Sequence, residues 1–236
     1  MPSCLRLVVF CSIFLLLACG GGGSSSDGDN TNASSIFGSS GRSASTGIRL
    51  LNGAIDASPI DLRSSLKTDS LQTARFGLAT NFVGVSGDLQ LISVAPSKHL
   101  TPTLFAQDLT LNKNERHTIL LYGDNDSFGL STMLLPDSRP TELGSNEAAI
   151  RIIHAVTHAA ALDASTLTDN LVSAVPFGRA SAYTIVASGS HSLTIKRSVD
   201  GRVIFSGTIE LSGKRSYSFF ICGELNYFVK TNLLED

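Results

Sequence analysis

Over long stretches of the chain, apolar and polar positions alternate singly. Leu193 and Ile195 alternate with Ser192, Thr194 and Lys196, and Val203, Phe205, Ile209 and Leu211 alternate with polar or small residues. Tyr217, Phe219 and Ile221 form a third such run. A period of two puts every second side chain on one face of an extended strand, so these runs predict half-buried β-strands. Ser188-Gly189, Asp200-Gly201 and Ser212-Gly213 punctuate them as turn signals. Short alternating runs closed by such pairs predict antiparallel hairpins. No stretch joins helical periodicity to caps; Ala159-Ala160-Ala161 comes nearest and is too short.

The pattern occurs twice. IRLLNGAIDASPID, from Ile48, is answered by IRIIHAVTHAAALD, from Ile150, with Asp61 and Asp163 in the same place. Thr68-Asp69-Ser70-Leu71 then answers Thr168-Asp169-Asn170-Leu171, Phe76-Gly77 answers Phe177-Gly178, and Phe82 answers Tyr183. Leu109 and Leu111 answer Ile209 and Leu211, Gly123 answers Gly223, and Phe128 answers Phe228. So many ordered matches predict a tandem duplication. The expected fold is all-β: two tandem antiparallel β-sandwiches, over residues 47–136 and 148–236, joined by a polar, Pro-containing linker over 137–147. Each copy is expected to close its own core, around Phe76, Phe82, Leu109 and Leu111 in the first and Phe177, Tyr183, Ile209 and Leu211 in the second.

The N-terminus follows a different pattern. Arg6 precedes an unbroken apolar run from Leu7 to Leu17. A membrane-spanning helix needs roughly 20 apolar residues, so the run fits a signal peptide over residues 1–18. Leu16-Leu17-Ala18-Cys19 resembles the bacterial lipobox, which implies cleavage after Ala18 and lipidation of Cys19. Several acyl chains make a durable membrane anchor. Gly20, where an inner-membrane retention signal carries Asp, implies an outer-membrane address in a Gram-negative source. Residues 19–46 begin with that Cys and continue in Gly, Ser, Asn and Thr, with only Ile36 and Phe37 large and apolar. Such a stretch cannot bury enough surface to offset its ordering entropy, and reads as a tether reaching about 30 Å.

Charge narrows the function classes. Charged residues make up 16%, and the formal net charge is −2. No basic field gathers nucleic acid, so no nucleic-acid partner is expected. After processing, Cys222 would be left alone in the body, and Phe219-Phe220-Ile221-Cys222 reads as a buried strand thiol. Several blocks of the second copy, IRIIHAVTHAAALD, PFGRASAYTIVASGSHSLTI and a later Gly-Lys…Tyr pattern, resemble the bacterial cell-surface domain of unknown function numbered four-three-nine-seven. The first copy is looser, with Asn52 where the family carries His and Gly87-Asp88 as a remnant of a Gly-Ser-His turn; in the second, His158 replaces the family Asp. The resemblance implies an Ig-like or transthyretin-like sandwich on a secreted or lipid-anchored protein, and brings no catalytic residues.

A search for chemistry yields little. No nucleophile elbow, phosphate loop or facing carboxylate pair emerges, and Gly189-Ser190-His191 reads as a turn. His154, His158 and His191, with Asp163 as a fourth ligand, form the only metal-like constellation, and the three histidines are expected to be mainly surface or hydrogen-bonding residues. Asp61 and Asp163 each follow an Arg, Arg49 and Arg151, at the same spacing, and a cross-strand pair is expected in each copy. There is no Trp, and most of the four Tyr (Tyr122, Tyr183, Tyr217 and Tyr227) read as core or sheet packing. The expected protein is a non-catalytic display or interaction module with no cofactor, held to the membrane by its lipid and meeting an envelope protein or polysaccharide. A small-ligand, carbohydrate or metal-binding lipoprotein and an envelope enzyme are the alternatives.

Overall fold

A computed structural model describes residues 46–57, 59–85, 88–97, 102–124 and 128–236. The signal peptide, Cys19 and the tether up to residue 45 lie outside the described residues, as does Gly87. The first half comprises β1 (Gly47–Asn52), β2 (Ile60–Ser64), β3 (Gln72–Ala74), β4 (Gln90–Pro96), β5 (Phe105–Leu109), β6 (Arg116–Asp124) and β7 (Gly129–Pro136). The second comprises β8 (Glu147–Thr157), β9 (Ala161–Ser165), β10 (Asn170–Pro176), β11 (Arg179–Ala180), β12 (Thr184–Ala187), β13 (Gly189–Arg197), β14 (Val203–Leu211), β15 (Arg215–Glu224) and β16 (Phe228–Glu235). Among the described residues the fold is all-β, as the alternation predicts.

Each half is a two-sheet sandwich. In the first, β1-β6-β7 faces β3-β2-β4-β5; in the second, β11-β8-β15-β16, with β12 also on β8, faces β10-β9-β13-β14. Most pairs are antiparallel, but β1 with β6 and β8 with β15 run parallel. That departs from uniformly antiparallel pairing, and connectivity is the reason. After β1 the chain crosses to the opposite sheet, builds it from β2 to β5, and returns with β6 in the original direction. After β8 it crosses with β9 and β10, comes back with β11 and β12, and crosses again with β13 and β14 before β15 is laid in the original direction.

Alternation sorts the side chains of these central strands. Ile48 and Leu50 of β1, with Ile119 and Leu121 of β6, meet Leu62, Ile92 and Val94 in the first core. Ile150, Ile152, Tyr217, Phe219 and Ile221 meet Leu162, Leu193, Ile195 and Leu211 in the second. The intervening residues point the other way, and there the two halves meet. Leu51, Leu120, Leu135, Ile153, Ala155, Phe220 and Cys222 form a third buried cluster. The four sheets therefore stack as four layers, and the inner two are covered on both faces. Phe76 and Phe177, expected in separate cores, sit instead at this seam: Phe76 packs against the third cluster, and Phe177 lies edge-on to Tyr122 of the first half, with ring centroids 5.1 Å apart. Tyr183 is likewise half-buried at the seam.

The seam contacts are reciprocal. Phe76 of the first half meets Phe228 of the second with ring centroids 5.8 Å apart, while their repeat equivalents, Phe177 and Phe128, meet at 5.5 Å. Exchange of equivalents across a contact is the mark of an isologous interface. Gly53 faces its own equivalent, Ala155; a Cβ on Gly53 would lie 2.7 Å from the Ala155 Cβ, so the layers approach this closely only because Gly53 has none.

Candidate functional site

Arg49 and Arg151 occupy the second position of their repeats, between apolar neighbours, and the strand period turns both toward the seam. Both are 2% exposed. The Arg49 guanidinium pairs with Asp236 Oδ1 at 2.6 Å and donates from Nε to Thr118 Oγ1 at 2.9 Å and from Nη2 to Ser218 Oγ at 3.3 Å. Arg151 donates from Nε to the same Ser218 oxygen at 2.8 Å and from Nη1 to the Pro136 carbonyl at 3.0 Å. Ser218 in turn donates to Asp236 Oδ2 at 2.7 Å. The Tyr183 hydroxyl donates to Asp236 Oδ2 at 2.7 Å and also lies 3.2 Å from Asp137 Oδ1. Burial and the Asp236 charge push the Tyr183 hydroxyl well above its ordinary range, so it acts as a fixed donor. Arg49 and Arg116 stack on the Phe82 ring, and Arg151 on the equivalent Tyr183 ring.

This network replaces the expected Arg49–Asp61 and Arg151–Asp163 pairs. Asp61, on the outer sheet, pairs with Arg63 at 2.7 Å and accepts from Thr73 Oγ1 at 2.7 Å. Asp163 accepts from the Ala174 amide at 2.8 Å and the Ser198 hydroxyl at 2.7 Å, which hold its carboxyl below the usual carboxylate range. In each repeat the turn after the Arg-bearing strand carries the chain to the other sheet, so Arg and Asp end in different layers. Asp236, the partner of Arg49, and Asp137, which Tyr183 meets, escaped the sequence reading because they lie beyond the strands β16 and β7 and outside the matched repeat blocks. The signal that was present is a lone Arg inside an apolar run, twice.

Beside the network an open groove of about 840 Å³ is lined by Asn114, Asp137, Arg139, Glu142, Lys214, Arg215, Ser216 and Asp236, among others. Its cations and carboxylates are evenly matched. Thr46, where the described chain begins, accepts the Asn114 amide through its hydroxyl at 2.7 Å, so the N-terminal segment joins the body at this end. Chemically the arrangement holds charge and hydrogen bonds; its most buried carboxylates are already engaged by Arg49, Ser218 and Tyr183.

The three histidines are placed apart in role. His154 is fully buried; its Nδ1 accepts from the Val156 amide at 3.1 Å and its Nε2 donates to the Ala159 carbonyl at 2.8 Å. Burial depresses it from 6.5 to about 4. His158 is exposed, 3.9 Å from Glu224 and edge-on to Phe128. His191 lies within 2.8 Å of the Ala187 carbonyl. No group of three or more metal-capable side chains occurs among the described residues. Cys222 is buried in the seam and its thiol is pushed up to about 12. Tyr217 is buried in the second core, whereas Tyr227 is 79% exposed.

At the far end of the seam from the groove, the β6–β7 and β15–β16 hairpins carry Phe128 and Phe228, 47% and 42% exposed, with Tyr227 beside the latter. The Lys230 ammonium lies over the Phe76 ring at 4.8 Å.

Among solved structures, CBMbc (family CBM26) from Eubacterium rectale Amy13K, in complex with maltoheptaose, aligns with 80% of this chain and 95% of its own. Identity is 10% and the TM-score 0.26, so this likeness carries no argument about fold or ligand. No curated protein matches the chain. The family described as Domain of unknown function (DUF4397) matches residues 46–165 and again residues 148–236. The chain thus belongs to that family and carries two overlapping copies of its domain.

Proposed function

We propose that this chain is a lipid-anchored cell-envelope protein whose double sandwich is a rigid, non-catalytic interaction body. One observation carries the reading: the buried carboxylate of the seam is already engaged, Asp236 pairing with Arg49 at 2.6 Å and accepting from Tyr183 at 2.7 Å. A carboxylate held in this way stiffens a structure and is poorly placed to exchange protons with a substrate. The lipobox at Cys19 and the polar tether supply the anchoring half of the proposal. An outer-membrane address follows from Gly20 if the source is Gram-negative.

Radioactive palmitate should label the wild-type chain, and Cys19→Ser should abolish labelling and release the body into the soluble fraction. Labelling that persists in the variant overturns the anchor. In vivo cross-linking from the body should capture an envelope component. Incubating that component with the purified protein should leave its mass unchanged, and a mass change would put an enzyme in place of the interaction body.

A further inference from the structure

We propose that the hairpin-tip end of the double sandwich binds a polysaccharide chain on its exposed aromatic rings, a reading that rests on the interaction body proposed above. Exposed large apolar groups gathered at one end of a protein mark an interaction site. Here the duplication supplies two equivalent stations. Phe228 begins β16 and Phe128 immediately precedes β7, and each is braced by a ring from the other half, Phe76 at 5.8 Å and Phe177 at 5.5 Å. A braced ring loses little further freedom when a ligand covers it, which favours binding. Tyr227, 79% exposed, adds an almost free ring with a hydroxyl at its tip. Tyr gives a large, rigid, amphipathic contact at low entropic cost.

The surroundings select the ligand class. Asn226, adjacent to Tyr227, accepts from Arg202 Nη1 at 2.6 Å, and His158 stands 3.9 Å from Glu224 near Phe128. Planar amide, guanidinium, imidazole and carboxylate groups read hydroxyls. A sugar ring offers the matching pair of features, an apolar C–H face for the aromatic and equatorial hydroxyls for the rim. A polymer of such rings offers them repeatedly, so two stations can engage one chain and gain avidity.

The test uses the detergent-solubilised full chain in affinity electrophoresis through gels holding amylose, laminarin or xylan, and in co-sedimentation with peptidoglycan sacculi. Retardation or sedimentation is expected with at least one of these. Tyr227→Ser and Phe128→Ser, each with its melting temperature measured, should weaken it about tenfold apiece. Tyr227 is so exposed that its replacement leaves the fold intact, which keeps the outcome readable even if Phe128→Ser unfolds. No retention by any of the four, equal retention of wild type and Tyr227→Ser, or binding only to phosphatidylglycerol vesicles would each overturn the proposal. Palmitate labelling at Cys19 is measured separately, so the failure of one reading leaves the other standing.

Discussion

His154 and Asn52 are repeat equivalents with different chemistry and one local task. Asn52 accepts the Ala54 amide on its side-chain oxygen at 3.1 Å and donates to the Ala74 carbonyl at 3.3 Å, while His154 accepts the Val156 amide and donates to the Ala159 carbonyl. Both cap the exit of the first strand by binding the amide two residues on. Only the imidazole can be charged, and burial opposes that, holding it at about 4 against 6.5 in the unfolded chain. The unfolded state therefore binds the extra proton first. Stability contributed by neutral His154 is complete above pH 6.5, falls as the pH drops through that value, and levels off below about 4, a total of about 3 kcal/mol. His154→Asn borrows the first half's solution and should flatten this part of the profile, read as urea midpoints between pH 4 and 7. A profile unchanged by the substitution would show that the imidazole is not the group responsible.

At the level of strands, the seam network depends on β1, β8 and β15 presenting polar atoms at matched heights. Replacing Arg49 by Met keeps the volume but leaves the Asp236 carboxylate buried without its cation. Stripping one partner from a buried pair costs about 3–5 kcal/mol, and that loss should appear in the unfolding midpoint. Adding Asp236→Asn to Arg49→Met should restore part of it; two fully additive losses would mean the pair is not coupled. The strands themselves were readable in the sequence wherever one face meets water, as in β13, where Leu193 and Ile195 are buried between Ser192, Thr194 and Lys196. They were less so where both faces are covered. Ile150-Arg151-Ile152-Ile153 and Phe219-Phe220-Ile221-Cys222 break the alternation, and unbroken apolar runs are what strands covered on both sides require. That clue announces a second covering layer without naming it, because the layer comes from the other repeat. The misassigned Arg–Asp pairs have another cause, the crossing to the opposite sheet that follows the Arg-bearing strand within each repeat.

For the molecule as a whole, the third cluster makes the two copies one cooperative unit. Separating them would expose Leu51, Leu120, Ile153 and Phe220, each now 0% exposed. Burying such a side chain contributes about 1.5–3 kcal/mol, so neither half is expected to stay folded while the other melts. Calorimetry should show a single transition with equal calorimetric and van't Hoff enthalpies. Gly53→Leu, which drives a side chain into Ala155 and Phe220, should split that transition in two or lower it sharply; two transitions in the unaltered protein would sink the idea. The reciprocal seam has a further consequence for sparse proteins. Two free subunits joined by such a face would come apart on dilution. A covalent link over residues 137–147 sets their mutual concentration in the millimolar range whatever the copy number per cell. A pair that no longer has to find its mate is also released from self-complementarity. Each copy is then free to drift, and the differences already visible, His154 against Asn52 and Tyr183 against Phe82, are changes that a symmetric assembly of identical chains would have had to make twice at once.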